Sequence, residues 1–202
     1  MRPTMRSAQA LPLAVLLAAC AHPAGGPSAA TPGATAADPT AYFPLAVGNE
    51  WVWEDQSPAL PEAKRGALRT VRIEARTADG FFRDGERGEL KAAGPCIQDR
   101  VRQILCAPFT PGASWRSVVS VSSTEKYEIA AVGETVETPA GTFRGCVRVR
   151  ALNRAAPGAD LVNEISYAPG VGPVRIETFA VIKGQAAPQF RALLRRYRVE
   201  AR

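Results

Sequence analysis

The chain has 202 residues, a formal net charge of +6 and 46% apolar residues. That length suits one well-cored domain and leaves no room for several. With 25 basic residues set against 19 acidic ones along the whole chain, the charge reads as solubility and excludes a nucleic-acid footprint.

Arg2 and Arg6 precede an apolar stretch over residues 8–19, interrupted by Gln9 and Pro12, and small residues lead into Cys20. This is the three-part layout of a secretory signal over residues 1–19. About a dozen apolar residues cannot span a bilayer core that needs about 20, so the segment is processed and is not an anchor helix. Leu17-Ala18-Ala19-Cys20 resembles the lipobox cut by bacterial lipoprotein signal peptidase. The resemblance implies cleavage before Cys20, a diacylglycerol on its sulfur and an acyl chain on its new amino group. An ordinary secretory cut nearby, with Cys20 incidental, is the alternative. Several acyl chains at about 0.8 kcal/mol per buried CH2 anchor a protein stably. The implied partners are the membrane, through that anchor, and the lipoprotein-processing and sorting machinery. Ala21 stands where an Asp would resemble an inner-membrane retention signal, which places the expected protein in the cell envelope, on the outer membrane facing the periplasm.

Apart from Cys20 and His22, residues 20–40 are Ala, Pro, Gly, Thr and Ser with one acid, Asp38. Such a segment buries too little apolar surface to offset its ordering entropy, so a disordered tether is expected, about 25 Å in mean reach. His22, the sole histidine, falls within it, and a metal or acid–base role there would lack convergent partners on a rigid scaffold.

From residue 41 to 202 the apolar period is two. Residues 49–54 open the series, and Val71-Arg72-Ile73-Glu74-Ala75-Arg76 alternates strictly, as a strand with one buried face requires. Segments 81–84, 87–91 and 115–122 follow, then Tyr127, Ile129 and Ala131, then 147–151, 161–167 and 174–177. Asp79-Gly80, Asp84-Gly85, Pro111-Gly112, Ala140-Gly141, Pro157-Gly158 and Pro169-Gly170 mark turns between them. The last apolar set, Phe190, Leu193, Leu194 and Tyr197, fits a helix as well as a strand, and a closing strand is the preferred reading. The expected fold is mainly β with little helix: a single antiparallel, strongly curved meander forming a half-barrel or open barrel.

Three blocks carry a resemblance. Tyr42-Phe43-Pro44-Leu45 with Gly48-Asn49-Glu50-Trp51-Val52-Trp53, then Thr138-Pro139-Ala140-Gly141-Thr142-Phe143 with Cys146 and Val149, then Tyr167-Ala168-Pro169-Gly170-Val171-Gly172 with Val174, resemble in order the blocks of a group of uncharacterised bacterial lipoproteins. That group is similar to the half-barrel sheets of periplasmic lipoprotein carriers and receptors, the LolA/LolB-like folds. The resemblance implies a fold and no functional residues. Gly141, Gly170 and Gly172 read as positions needing positive φ in tight connections.

Trp51 and Trp53, two apart, share one sheet face. They either line a filled core or floor a groove for an apolar ligand such as an acyl chain, and Trp115, Phe143 and Tyr167 could join either arrangement. With Cys20 lipidated, Cys96, Cys106 and Cys146 remain in an oxidising compartment. Cys96 and Cys106 flank a hairpin-like polar stretch and are the preferred disulfide, leaving Cys146 buried and inert.

Catalytic templates are missing: no Gly-x-Ser-x-Gly, no nucleotide fingerprint, no Cys-x-x-Cys and no paired histidines occur. Acid pairs such as Glu86/Glu89 and Glu125/Glu128 read as solvated strand faces. No catalytic residue, metal ligand or cofactor is therefore expected beyond the lipid on Cys20. The leading expectation is a non-catalytic envelope lipoprotein with a protein-docking or structural role. The alternative is a carrier or sensor holding a lipid-like ligand in a half-barrel, and the third is a hydrolase with an unrecognised site. A deep apolar cavity reached from solvent favours the second; a filled core with an exposed apolar patch favours the first.

Overall fold

The fold is a computed structural model that describes residues 38–200. The expected signal segment, the lipidated Cys20, His22 and the tether as far as residue 37 lie outside the described residues. The described chain is folded from Asp38, slightly before residue 41. A 3-10 turn, Pro39–Ala41, is capped by Asp38, whose Oδ1 accepts from Thr40 N at 2.9 Å, and Pro39 is buried.

Twelve strands follow: β1 Glu50–Asp55, β2 Leu68–Arg76, β3 Phe82–Asp84, β4 Glu89–Ala93, β5 Cys96–Gln98, β6 Gln103–Cys106, β7 Ser114–Ser120, β8 Ser123–Thr138, β9 Gly141–Ala156, β10 Ala159–Ala168, β11 Gly172–Ile182 and β12 Gln185–Arg198. A second 3-10 turn, Glu62–Lys64, is the one other helical piece among the described residues. All pairings are antiparallel in one sheet ordered β6-β5-β4-β3-β2-β1-β12-β11-β10-β9-β8-β7, and the sheet curls until it nearly closes into a barrel. The meander is thus cut once, and β12 returns to pair with β1, as a strand and not a helix.

Alternation decides the faces. Trp51, Trp53, Ile73, Tyr127, Ile129, Val149, Ala192 and Leu194 point into the core. The opposite face of β8 to β12 carries a chain of ion pairs: Arg150 bridges Glu128 and Glu164, Arg148 bridges Glu164 and Glu134, and Arg175 and Arg191 both meet Glu177.

Strands β8 and β9 run longer than alternation alone suggests, because register shifts after Ile129, Val132 and Glu134 absorb extra residues and bend the ribbon. Their turn reaches back to the sheet, where Ala140 N donates to Leu194 O at 3.0 Å. Gly141, Gly170 and Gly172 do adopt positive φ. Residues 185–189 extend β12 without an alternating signal, and Pro188 is tolerated there at a register shift.

The edges of the sheet, β6 and β7, meet without a backbone ladder. Gln103 N donates to Ser117 Oγ at 3.0 Å, and Trp115 Nε1 donates to Gln103 O at 2.6 Å. From the loop before β6, Arg102 reaches past β7 to Glu125 on β8, with Nε 2.9 Å from Oε2. Side chains therefore close what the ladder leaves open. Cys96 and Cys106, cross-strand partners on β5 and β6, form the expected disulfide, and Cys146 is a buried free thiol.

Candidate functional site

A cavity of about 460 Å³ lies against the inner face of the sheet beside β1. Trp51 and Trp53 form one wall and continue onto β2 through Val71 and Ile73, which they face directly or diagonally. Phe82 of β3 and Leu90 of β4, themselves a cross-strand pair, add the next segment. Ile176, Phe190 and Ala192 close the other side from β11 and β12. Both tryptophans are buried at 3% and 6% exposure, so they are core residues and cavity walls together. The core reading holds, and the same face also borders a cavity.

The floor is built by the N-terminal block. Phe43 packs edge-on against Trp51, with centroids 5.7 Å apart and planes at 89°, and touches Tyr167 at 5.8 Å. Trp51 Nε1 donates to Val171 O at 2.7 Å, which fixes the indole while leaving its rings apolar contacts. Gly172 permits that approach: a Cβ there would sit 3.1 Å from Trp51 Nε1. The first and third sequence blocks thus act on one another, and their conformational glycine serves the cavity wall.

The rim is polar. Asp55, Arg69 and Asp84 line the cavity at the end away from Phe43's turn. Each lies two residues beyond an inward apolar residue on its strand: Trp53, Val71 and Phe82. Asp55 and Arg69 fall just outside the expected strands 49–54 and 71–76, and the longer observed strands carry the same alternation to them. Asp55 Oδ1 accepts from Ser57 N at 2.8 Å and from Ser57 Oγ at 2.5 Å. Asp84 Oδ1 accepts from Glu86 N at 2.9 Å and Gly88 N at 2.7 Å. Arg69 is held in a fork by Glu86, its Nε 2.6 Å from Oε1 and its Nη2 on Oε2.

A second polar group lies inside the barrel near the β6/β7 seam. Glu125, 8% exposed, accepts from Arg102 and, at 2.5 Å, from the Tyr127 hydroxyl. Burial and the carboxylate beside it push the Tyr127 phenol well above its ordinary range. Trp115 stacks on Tyr127, centroids 5.5 Å apart and planes 10° from parallel. Glu125 is thus a buried tie and departs from the solvated acid that its sequence context suggests. Glu128, its neighbour in sequence, faces the other way and pairs with Arg150. Glu86 and Glu89 likewise bind different arginines, Arg69 and Arg100.

Trp115, Phe143 and Tyr167 stay out of the cavity wall. Trp115 serves the seam, Phe143 packs on Tyr197 at 5.9 Å, and Tyr167 is buried beneath the floor with its phenol raised by desolvation. Among the described residues, no three His, Cys, Asp or Glu side chains gather as a metal site. Desolvation raises the Cys146 thiol, which disfavours the reactive thiolate.

No protein-family model matches the chain, and no curated protein matches it either. Two solved structures are similar. One is of a protein from Bacteroides fragilis described as exported and of YmcC-like fold, 17% identical with a TM-score of 0.43. The other is of a protein from Parabacteroides distasonis described as a lipoprotein, 15% identical with a TM-score of 0.42. In each case the match covers 78% of this chain and 98% of the other. Similarities this distant transfer no activity, and the three-block likeness to uncharacterised lipoproteins stands as a resemblance alone.

Proposed function

We propose that the protein is a non-catalytic lipoprotein of the bacterial envelope whose β domain carries or senses a lipid-like ligand in the cavity beside Trp51 and Trp53. The carrying observation is the cavity itself: about 460 Å³, walled by aromatic and aliphatic side chains and rimmed by three polar ones. This is the composition expected of a small-molecule pocket. Burial of apolar chain against such walls stabilises a complex by about 25 cal/mol per Å². The signal layout and the Cys20 lipobox support export and lipid anchoring, and Ala21 supports the outer membrane as the site. The rim carboxylates are held by backbone N–H groups, which supports a binding role for them.

The test is native mass spectrometry of the full chain produced with its own leader in a bacterial envelope, followed by organic extraction. A stoichiometric lipid or fatty-acyl adduct is expected, and Ala192→Phe, which places a ring in the cavity, should lose it while keeping a native circular dichroism spectrum. An apo mass for the wild type, together with failure to take up added apolar probes, would overturn the reading.

A docking role has its own observation. Val118 and Val121, at the β7–β8 hairpin, are 70% and 108% exposed next to the seam. If the cavity stays empty under all conditions, that hairpin is the surface on which a protein partner should be sought by cross-linking.

A further inference from the structure

We infer that the rim of the cavity selects against acidic amphiphiles and takes long-chain ligands whose head donates hydrogen bonds, a hydroxyl or an amine. This rests on the cavity reading above and adds the chemistry of the head.

The hydrogen-bond inventory carries it. Asp55 and Asp84 each use Oδ1 to accept from neighbouring loop N–H groups, and among the described residues no donor reaches the Oδ2 of either. Two carboxylate oxygens are therefore available to accept from a ligand. Arg69 is the one cation among the described lining residues, and its charge is already offset by the fork with Glu86. The charged lining residues, Asp55 and Asp84 against Arg69, leave the rim with a net negative charge. A carboxylate or phosphate head would find donors only on Arg69, whose charge Glu86 already offsets, and would meet two like charges at the edge of a low-dielectric cavity. A glycerol or ammonium head would meet acceptors.

The walls make the selection matter. Trp53, Val71 and Phe82 stand one same-face step inward from Asp55, Arg69 and Asp84 on their strands. A chain lying on those walls brings its head to the rim without further rearrangement. Both aspartates also tolerate the test substitution, because Asn keeps a side-chain oxygen for the Oδ1 contacts.

The experiment is competition for the neutral fluorophore N-phenyl-1-naphthylamine, bound to the full chain carrying Cys20→Ser and produced in an oxidising compartment. Dodecanoate, monododecanoylglycerol and dodecylamine are compared, each below its micellar concentration and at a pH where the acid is ionised. The glycerol ester and the amine are expected to displace the probe at concentrations lower than dodecanoate by about tenfold or more. In Asp55→Asn/Asp84→Asn the advantage of the amine should collapse, and dodecanoate should come within about threefold of the ester. Dodecanoate competing as well as the ester in the wild type would overturn the inference while leaving the cavity reading intact. An unchanged preference in the double variant would also overturn it. Failure of the probe and all three amphiphiles to bind would bring down the cavity reading, and this inference with it.

Discussion

Replacing Gly172 by Ala tests how the third sequence block supports the cavity wall. Gly172 has φ +108°, a conformation that costs an L-residue about 1–3 kcal/mol. The added Cβ would lie 3.1 Å from Trp51 Nε1 and 3.4 Å from Cε2 and Cζ2, tighter than ordinary contact, so the indole must move. Moving it weakens the 2.7 Å bond to Val171 O in a buried setting, which adds about 1–2 kcal/mol. The expected loss is about 3 kcal/mol. Gly158→Ala is the matched control: its φ is +76° and nothing lies within 4 Å of the added Cβ, so it should lose about 1 kcal/mol. Urea denaturation followed by tryptophan fluorescence reads both, with an m-value of about 2 kcal/mol/M turning the difference of about 2 kcal/mol into a midpoint shift of about 1 M. Equal losses for the two variants, within about 0.5 kcal/mol, would refute the claim that Gly172 is present for the indole.

Other perturbations probe the seam, the disulfide and the tyrosines. Replacing Cys96 and Cys106 by Ser opens a loop with a sequence separation of 10 and should cost about 2–3 kcal/mol in denaturation midpoint. Cys146 should resist maleimide until the protein unfolds, and rapid native labelling would contradict its burial. Arg102→Gln should destabilise by about 1–2 kcal/mol, a figure discounted because the Arg102 side chain is 40% exposed while that of Glu125 is 11%. Adding Glu125→Gln should recover part of the loss, and strict additivity of the two changes would refute the tie. Tyr127 and Tyr167 have phenols raised above the unfolded value of about 10, so the fold favours their neutral forms. Their contribution is complete below pH 10 and is lost as pH climbs through the raised values. Stability should therefore fall on the alkaline side, and ordinary titration of every tyrosine in the folded protein would argue against their burial.

Much of this architecture was written in alternation. Val71 and Ile73, Val147 and Val149, and Val174 and Ile176 each announced a face, and each pair does line the core or pack against it. The closing strand was harder, because a register shift opposite Val52 and Trp53 breaks its period and pairs Leu194 with Trp53 but Tyr197 with Trp51. Leu193 and Tyr197, which alternation would place together, are therefore separated by the bulge, and a helical spacing is mimicked. Bulges likewise hid the length of β8 and β9, since an inserted residue inverts every later side chain. Asp55 and Arg69 fell outside the expected strands because an inward polar residue at a strand end looks the same as the first residue of a loop. Glu125 escaped for a different reason. Tyr127 is its same-face neighbour on the strand, but Arg102 comes from the far edge of the sheet, and only the curl brings it to Glu125.

The incomplete closure links the fold to the cavity. An exposed sheet edge offers a row of unpaired backbone groups to other chains. Here β6 has only four residues and is fastened on its inner side to β5 by the disulfide, while its outer side is occupied by Ser117 and Trp115. A twelve-stranded sheet closed by a full ladder would have its circumference fixed by strand number and stagger. A seam held by side chains leaves that circumference to the packing of the interior. Aromatic bulk at Phe43, Trp51 and Tyr167 fills one end, and beyond it Trp53, Phe82, Leu90, Ile176 and Phe190 stand around open space. The cavity beside Trp53 is the space that remains, so weakening the seam through Trp115 or Arg102 should loosen the cavity as well as the edge.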